Sequence, residues 1–424
     1  MLDQIIPPAC DCDDPHGTES LLEIETAISL ALSLVSEFDK AETIPLMTSI
    51  GRVCAKDRLA TCEMPFFDNS AMDGFAVRCQ DFTDKPALPI CGTVAAGQAP
   101  GPLAPGTAMR IFTGAPVPAG ADAVIKVEDC VETDEGVTFR CAPPRQGQNI
   151  RTRGSDQQQG ACLLRKGQRI AARHLGLLAA QGIQDIGVAC RPRVAVASTG
   201  HELGPMADGA ARIHDANRPM LMALVAAMGA EVIDLGVIPD EAGATAKALA
   251  RAVGACDLIL TSGAVSMGGK DHMRAAVTNA GGQIDGWRVA VKPGKPVMFG
   301  HLGPTAITGL PGNPFAAFVG FHLFAAPQIV RLMGADHRPA LSTPAQAGFD
   351  WSRKPGRAEV FPVRLLGYSG AGVPQLDRLG ESVSATLFPL SGADGIALVG
   401  RETAQVAPGD ALLWHPFADR GGVL

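Results

Sequence analysis

Two lysines three residues apart in a proline-bounded turn, Lys292-Pro293-Gly294-Lys295-Pro296, are the groups in this chain best suited to holding an anion. The prolines restrict the backbone, and each ammonium is a compact charge with three donors. Two other stretches match that chemistry: the glycine-rich Ser262-Gly263-Ala264-Val265-Ser266-Met267-Gly268-Gly269-Lys270-Asp271, and Gly309-Leu310-Pro311-Gly312-Asn313-Pro314. Glycine lets a backbone approach an anion, and a helix begun by proline presents free amide groups. The plainer readings are surface lysines at a turn and an ordinary helix start; the prolines that fix the lysines' direction favour the anion site, and the helix start is compatible with it. Asp271 would repel an anion unless a hard cation lay between them, so a cation is expected to share the site.

The elements around these stretches should bring them together. Apolar runs read as strands at Asp257–Leu260, Arg288–Val291, Val297–Gly300 and Ala306–Thr308, so three loops at the ends of neighbouring strands form one rim. In an open α/β sheet ligands bind there, outside the carboxyl ends of the strands. Upstream, strand Val194–Ala197, helix Pro219–Met228, strand Glu231–Val237 and helix Glu241–Val253 alternate as a parallel sheet requires, and a last helix runs Pro314–Leu332.

A chain of 424 residues, 46% of them hydrophobic, exceeds one core and suits several domains. Residues 1–18 read as a flexible tail. Residues 19–54 and 146–190 read as a discontinuous first domain carrying the helix Leu21–Phe38, and 55–145, rich in Pro, Gly and short strands, as an inserted β domain. Residues 191–336 form the α/β domain and 337–424 a terminal β domain. A net charge of -7 argues against nucleic acid and leaves any anionic substrate to local basic groups. No apolar run reaches the roughly 18 residues that span a bilayer. Met1–Glu19 lacks a signal-peptide pattern, so the cytoplasm is the expected compartment. Eleven scattered cysteines without a Cys-x-x-Cys pair argue against a disulfide framework, with Cys10 and Cys12 in a polar tail of no assigned role.

The motifs Phe67-Asp68-Asn69-Ser70-Ala71-Met72-Asp73-Gly74, Phe112-Thr113-Gly114-Ala115-Pro116, Ser198-Thr199-Gly200, Asp215-Ala216-Asn217-Arg218, Ser266-Met267-Gly268, Lys292–Pro296 and Leu310–Pro314 occur in one order along the chain. In that order they resemble the molybdopterin molybdenumtransferases of the MoeA type, related to the enzymatic domain of gephyrin. The resemblance covers about Leu21 to Phe417. It implies a homodimer that takes adenylylated molybdopterin and molybdate, releases AMP and leaves molybdenum on the pterin dithiolene, with magnesium as cofactor and other molybdenum cofactor biosynthesis proteins as further partners.

Carried over residue by residue, Lys292 and Lys295 would bind molybdate, with Ser266, Gly268, Pro311, Gly312, Asn313, Pro314 and Ser384 around the substrate. Asp271 and Asp240 follow strands expected to be neighbours and would share the cation with Glu202; the plainer readings are a helix cap for Asp240 and a solvated loop carboxylate for Glu202. Asp68 and Thr113 would complete the pocket across the dimer, although Asp68-Asn69-Ser70 also reads as a turn held by side-chain bonds. Arg151 and Asp156 bring further charge beside them. Asn217 is expected to cap a helix and Asp215 to touch substrate. This chain departs from the family at His201, where an aspartate is usual, at Ala264, where glycine is common, and at Pro362, where some relatives carry a molybdate-binding arginine. Either Arg364 substitutes there or the oxyanion relies on the lysines alone. Two other readings are a non-catalytic scaffold and a nucleotide-processing enzyme sharing the α/β module. The retained lysines and acidic residues stand against the first, and the Phe67–Gly74 motif with the two β domains against the second.

Overall fold

The computed structural model describes residues 21–37, 40–82, 87–204, 212–239, 241–263, 272–336, 339–380 and 384–417. Contacts divide the chain into two units: residues 57–165 with 173–184, and all the rest.

Near the start, α1 (Ile24–Ser33) buries Ala27 and Ala31, one turn apart on one face. The smaller unit is built on a sheet of β1 (Gly74–Val77), β2 (Ile90–Val94), β3 (Ala108–Ile111) and β4 (Ala123–Lys126) in the order β2-β3-β1-β4. Alternation along β1 sends Phe75 and Val77 to one core and Ala76 to another.

In the larger unit the α/β domain runs β5 (Arg193–Thr199), α2 (Asn217–Ala227), β6 (Glu231–Ile238), α3 (Ala242–Ala252), β7 (Leu258–Ser262), α4 (His272–Asn279), β8 (Gln283–Arg288), β9 (Val291–Lys292), β10 (Pro296–Leu302), β11 (Thr305–Leu310), α5 (Pro314–Gly320) and α6 (Ala326–Leu332). Its six-stranded sheet has the order β6-β5-β7-β11-β10-β8. The first four strands are parallel, as the alternating pattern requires, and β10 and β8 extend the sheet antiparallel. Side-chain alternation builds three layers: Val194, Val196, Leu258 and Leu260 pack against α2 and the long helix, while Ala195, Ile259 and Ile307 pack against α3 and α4. α1 adds to the first helical layer, packed with Trp287, Phe315 and Phe324. The fully buried Gln328 joins these parts: Thr308 Oγ1 donates to its Oε1 at 2.8 Å, and its Nε2 donates to Ala31 O at 2.8 Å.

The helix expected over Pro314–Leu332 is one run, with a π-helical turn, Phe321–Ala325, between α5 and α6. It is the one helix among the described residues long and apolar enough to cross a membrane, and 78% of its apolar window is buried inside the protein, as a core helix is. The terminal domain holds β12 (Thr343–Ala347), β13 (Ala358–Tyr368), β14 (Pro374–Arg378), β15 (Gly395–Val399) and β16 (Ala411–Pro416). Pairing runs β13-β14-β12-β16-β15 and returns from β15 to β13, closing a barrel around Phe361, Val363, Ala397 and Trp414.

Two expected features differ. The strands leading to Asp240 and Asp271, β6 and β7, are not neighbours; β5 lies between them. The strand expected over Arg288–Val291 is divided, because β8 ends at Arg288 and β9 leaves the α/β sheet to pair with Ala358-Glu359 of the barrel. The two-residue length of β9 hides it from any periodicity.

Candidate functional site

The parallel strands β5, β7 and β11 bring Thr199, Ser262 and Leu310 to one edge of the sheet, and the backbone beyond them is cross-bonded. Gly263 N donates to Leu310 O at 3.1 Å, and Ser262 Oγ donates to Pro311 O at 3.1 Å. Gly263 adopts φ +101°, and a side chain there would meet Thr199 O at 2.4 Å; only glycine fits. Asn217 is the clamp across this edge. Its buried Nδ2 donates to Ser262 Oγ at 2.6 Å and to Gly312 O at 2.6 Å.

Asn217 is therefore not the cap of α2. Asp215 is: its Oδ1 accepts from Asn217 N and Arg218 N, both at 3.1 Å, and from Ser198 Oγ at 3.0 Å, while Oδ2 pairs with Arg218 Nε at 3.1 Å. Both residue types suit a cap, so the spacing alone left the choice open. The expectation of a substrate contact at Asp215 meets a carboxylate already engaged by the protein.

The three expected loops converge in part. Gly294 packs on the start of α5, where an added side chain would lie 3.5 Å from Ala316 O and 3.9 Å from Pro311 Cγ. This seats the Lys292–Pro296 turn beside Pro311, Gly312, Asn313 and Pro314. Lys295 O accepts from Val289 N at 2.8 Å, closing the turn, and the Lys292-Pro293 peptide is cis.

The amides of α5, expected from sequence to be free, are engaged. Phe315 N and Ala316 N both donate to Ser384 O, at 3.0 and 3.2 Å, and Asn313 Nδ2 donates to Ser384 Oγ at 2.9 Å. The partner lies 71 residues away in the chain, which is why local reading missed it. Ser384 thus belongs to this rim, as an element of the helix cap.

Lys292 is exposed, with its Nζ 2.9 Å from Glu359 Oε1, a carboxylate 2% exposed. Sequence reasoning passed over Glu359; the available signal was one acidic residue inside the apolar run Ala358–Val363. On the same strand Pro362 is buried, and Arg364, two residues on and hence on the same face, is exposed opposite Asp377.

Glu202 is exposed beyond β5, with its carboxylate folded over Gly200. Asp240, Asp271, Ser266 and Gly268 lie outside the described residues, as does the tail with Cys10 and Cys12. Among the described residues no three His, Cys, Asp or Glu side chains stand close enough to hold a metal ion. Glu202 by itself has the chemistry of one ligand to a hard cation: an accessible carboxyl oxygen donor.

In the smaller unit Asp68 and Thr113 are held by hydrogen bonds. Arg153 N donates to Asp68 Oδ1 at 2.7 Å, and Val117 N donates to Asp68 O at 2.9 Å. The backbone N–H and the hydroxyl of Thr113 donate to Asp73 Oδ1 at 2.6 and 2.8 Å, and these two bonds hold the Asp73 carboxyl below its ordinary range. Asn69 and Ser70 make the expected side-chain bonds to backbone, to Phe67 O and Met72 O, but they form a short strand paired with Ile150-Arg151 rather than a turn, and the Asp68 and Thr113 functional groups are exposed. Around them Phe66, Phe67, Met72 and Phe112 expose between 41% and 49% of their surface, an apolar patch of the kind that marks an interface.

A cavity of about 650 Å³ lies elsewhere in the larger unit, lined by Leu224, Met228, Phe318, His322, His415 and Phe417. Burial, and then the neighbouring His415, pushes the His322 imidazole down to about 3. Its Nε2 is buried without a hydrogen-bond partner among the described residues. The cavity is apolar and its histidines are neutral, so it is unsuited to an oxyanion.

Comparison with known proteins accounts for nearly all of the described chain. Residues 22–182 match the MoeA N-terminal region (domain I and II), 195–331 a family described as a probable molybdopterin binding domain, and 344–417 the MoeA C-terminal region (domain IV). The chain is 35% identical over 368 residues to the molybdopterin molybdenumtransferase of Haemophilus influenzae, covering 82% of this chain and 90% of that protein. To the molybdopterin molybdenumtransferase of Synechococcus elongatus it is 38% identical, covering 73% and 80%. The crystal structure of a molybdopterin biosynthesis MoeA protein from Pyrococcus horikoshii superimposes with a TM-score of 0.80 at 26% identity, over 94% of this chain and 100% of that one.

Proposed function

The chain belongs to the molybdopterin molybdenumtransferase family of MoeA type, and from that premise we propose that it inserts molybdenum from molybdate into adenylylated molybdopterin with release of AMP. The observation that carries this reading is the convergence at one end of the sheet of the Lys292–Lys295 turn, the start of α5 and the Ser384 loop. Molybdate, as substrate, is a tetrahedral dianion; two ammonium groups on a short closed turn offer it charge and directional donors.

Magnesium, held by Glu202, Asp240 and Asp271, would neutralise the charge on the phosphoanhydride while the chain's lysines keep the oxyanion. The protein's own part is to fix the start of α5 at the end of the sheet, through Asn217, Ser262 and Ser384, with the lysine turn packed against it at Gly294. A homodimer agrees with the exposed apolar patch around Asp68 and Thr113, which a second copy would cover while adding those two groups to its pocket. The cytoplasm, where adenylylated pterin and molybdate would meet, is the proposed place of action, with other enzymes of the same biosynthesis as further partners.

The test is AMP release from adenylylated molybdopterin by the purified protein with Mg²⁺, titrated with molybdate. Loss of one charged hydrogen bond costs about 1.5–3 kcal/mol, so Lys295→Ala should raise half-saturating molybdate roughly tenfold to hundredfold. Unchanged molybdate dependence with weakened pterin binding would assign the lysines to the phosphates instead.

A further inference from the structure

Lys292 cannot aim itself. Its aliphatic stem is exposed, and an exposed lysine samples many rotamers, which lowers the fraction of time its ammonium faces any one point. The structure supplies a constraint from another domain. Lys292 and Glu359 are direct partners in the parallel β9–β13 ladder, so backbone pairing puts their side chains next to each other. Flanking bonds hold that ladder in register: Ala358 N donates to Ala290 O at 2.9 Å, and Arg357 Nη1 reaches Val291 O at 3.5 Å.

Glu359 itself is fixed from behind. Its Oε2 receives Arg353 Nε at 3.2 Å, and that guanidinium, 3% exposed, also donates to the carbonyls of Arg357, Gly400 and Thr403. The carboxylate is thus immobile, buried and charge-balanced on one side, with Oε1 turned to Lys292. The 2.9 Å contact engages one of the three ammonium donors and leaves the others for a further acceptor.

We infer that Glu359 is the positioning residue of the oxyanion site: a buried carboxylate of the C-terminal barrel that holds Lys292 in the direction its substrate requires. The inference rests on the reading of Lys292 as an oxyanion ligand. It gives the barrel a role in the reaction, because the arm that directs Lys292 is anchored there and not in the α/β sheet. Glu359 acts through Lys292 and does not touch substrate.

The experiment is a double-mutant cycle in the full-length protein: wild type, Glu359→Gln, Lys292→Ala and the double variant, each titrated with molybdate at saturating adenylylated molybdopterin. Freeing one side chain that binding must then order weakens affinity roughly threefold to tenfold, so Glu359→Gln should raise half-saturating molybdate by that factor with little change in maximal rate. On the Lys292→Ala background the same change should add less than about twofold, because its target is gone. Glu359→Asp keeps the charge beside Arg353 but is one methylene short of Lys292. It is expected to melt like wild type and show the same molybdate shift, so it decides the matter if Glu359→Gln fails to fold. An equal effect on both backgrounds, or wild-type molybdate dependence in both Glu359 variants, overturns the inference and leaves Lys292 as ligand. If Lys292→Ala alone has no effect, the reading of Lys292 falls and the inference falls with it.

Discussion

Replacing Asn217 by alanine tests whether the edge of the sheet is held as described. The side chain makes two hydrogen bonds, a buried one to Ser262 Oγ and a part-buried one to Gly312 O, both at 2.6 Å. Each such bond contributes about 1 kcal/mol net. Two features act the other way: Asn217 Oδ1 is itself buried without a partner among the described residues, so alanine removes that cost, and Ser262 Oγ keeps its bond to Pro311 O. The balance is a local loss of about 1–2 kcal/mol. Because the chain has several domains, a single unfolding midpoint would blur this, and hydrogen exchange read by mass spectrometry on native protein is the sharper assay. The reporters are Gly263 N, bonded to Leu310 O, and Phe315 N and Ala316 N, bonded to Ser384 O. They should exchange roughly fivefold to thirtyfold faster, since 1.4 kcal/mol is a factor of ten. Peptides from the C-terminal barrel strands should not change. Unaltered exchange at the end of β7 and the start of α5 would show that Asn217 is not the clamp.

Two further outcomes follow, one from the apolar cavity and one from the rim. His322 has its protonation pushed down to about 3 in the folded protein against an ordinary 6.5, so between these values the unfolded chain binds more protons and stability falls as pH falls, by up to about 1.4 kcal/mol per pH unit. His322→Gln should flatten the urea midpoint between pH 6.5 and 5 relative to wild type, and parallel profiles would refute the assignment. Gly263→Ala combines φ +101° with a 2.4 Å approach to Thr199 O and should cost more than about 2 kcal/mol, seen as a lowered denaturation midpoint; an alanine variant as stable as wild type would mean this turn is not as tight as described.

How much of this was legible in the sequence depends on how far each interaction reaches. β5, α2, β6, α3 and β7 could be read because each is a long periodic element, and Pro314 marks its helix start locally. The Lys292–Pro296 turn could also be read, since Pro293 and Gly294 announce it. What could not be read was who completes each local motif. Asp215 and Asn217 are chemically equivalent candidates for one cap, and only the fold assigns one to the helix and the other to Ser262. Ser384 satisfies amides 69 and 68 positions before it, and Glu359 meets Lys292 through a ladder too short to leave a pattern. The order of β5 between β6 and β7 is likewise a matter of topology rather than of composition.

The link that Gln328 makes between α1 and the α/β core sets an order of events during synthesis. Its bond to Ala31 spans 297 residues, and the other side chains that cover α1, from Trp287 to Phe324, also come late in the chain. At a ribosomal rate of roughly 5–20 residues per second, the first helix leaves the exit tunnel about 15–60 s before the surface that buries it exists. Through that interval its apolar face, Ala27 and Ala31 with Ile24, Ile28 and Leu34 beside them, has only water, its own segment or a chaperone to meet. The helix α1 is thus made early and buried late.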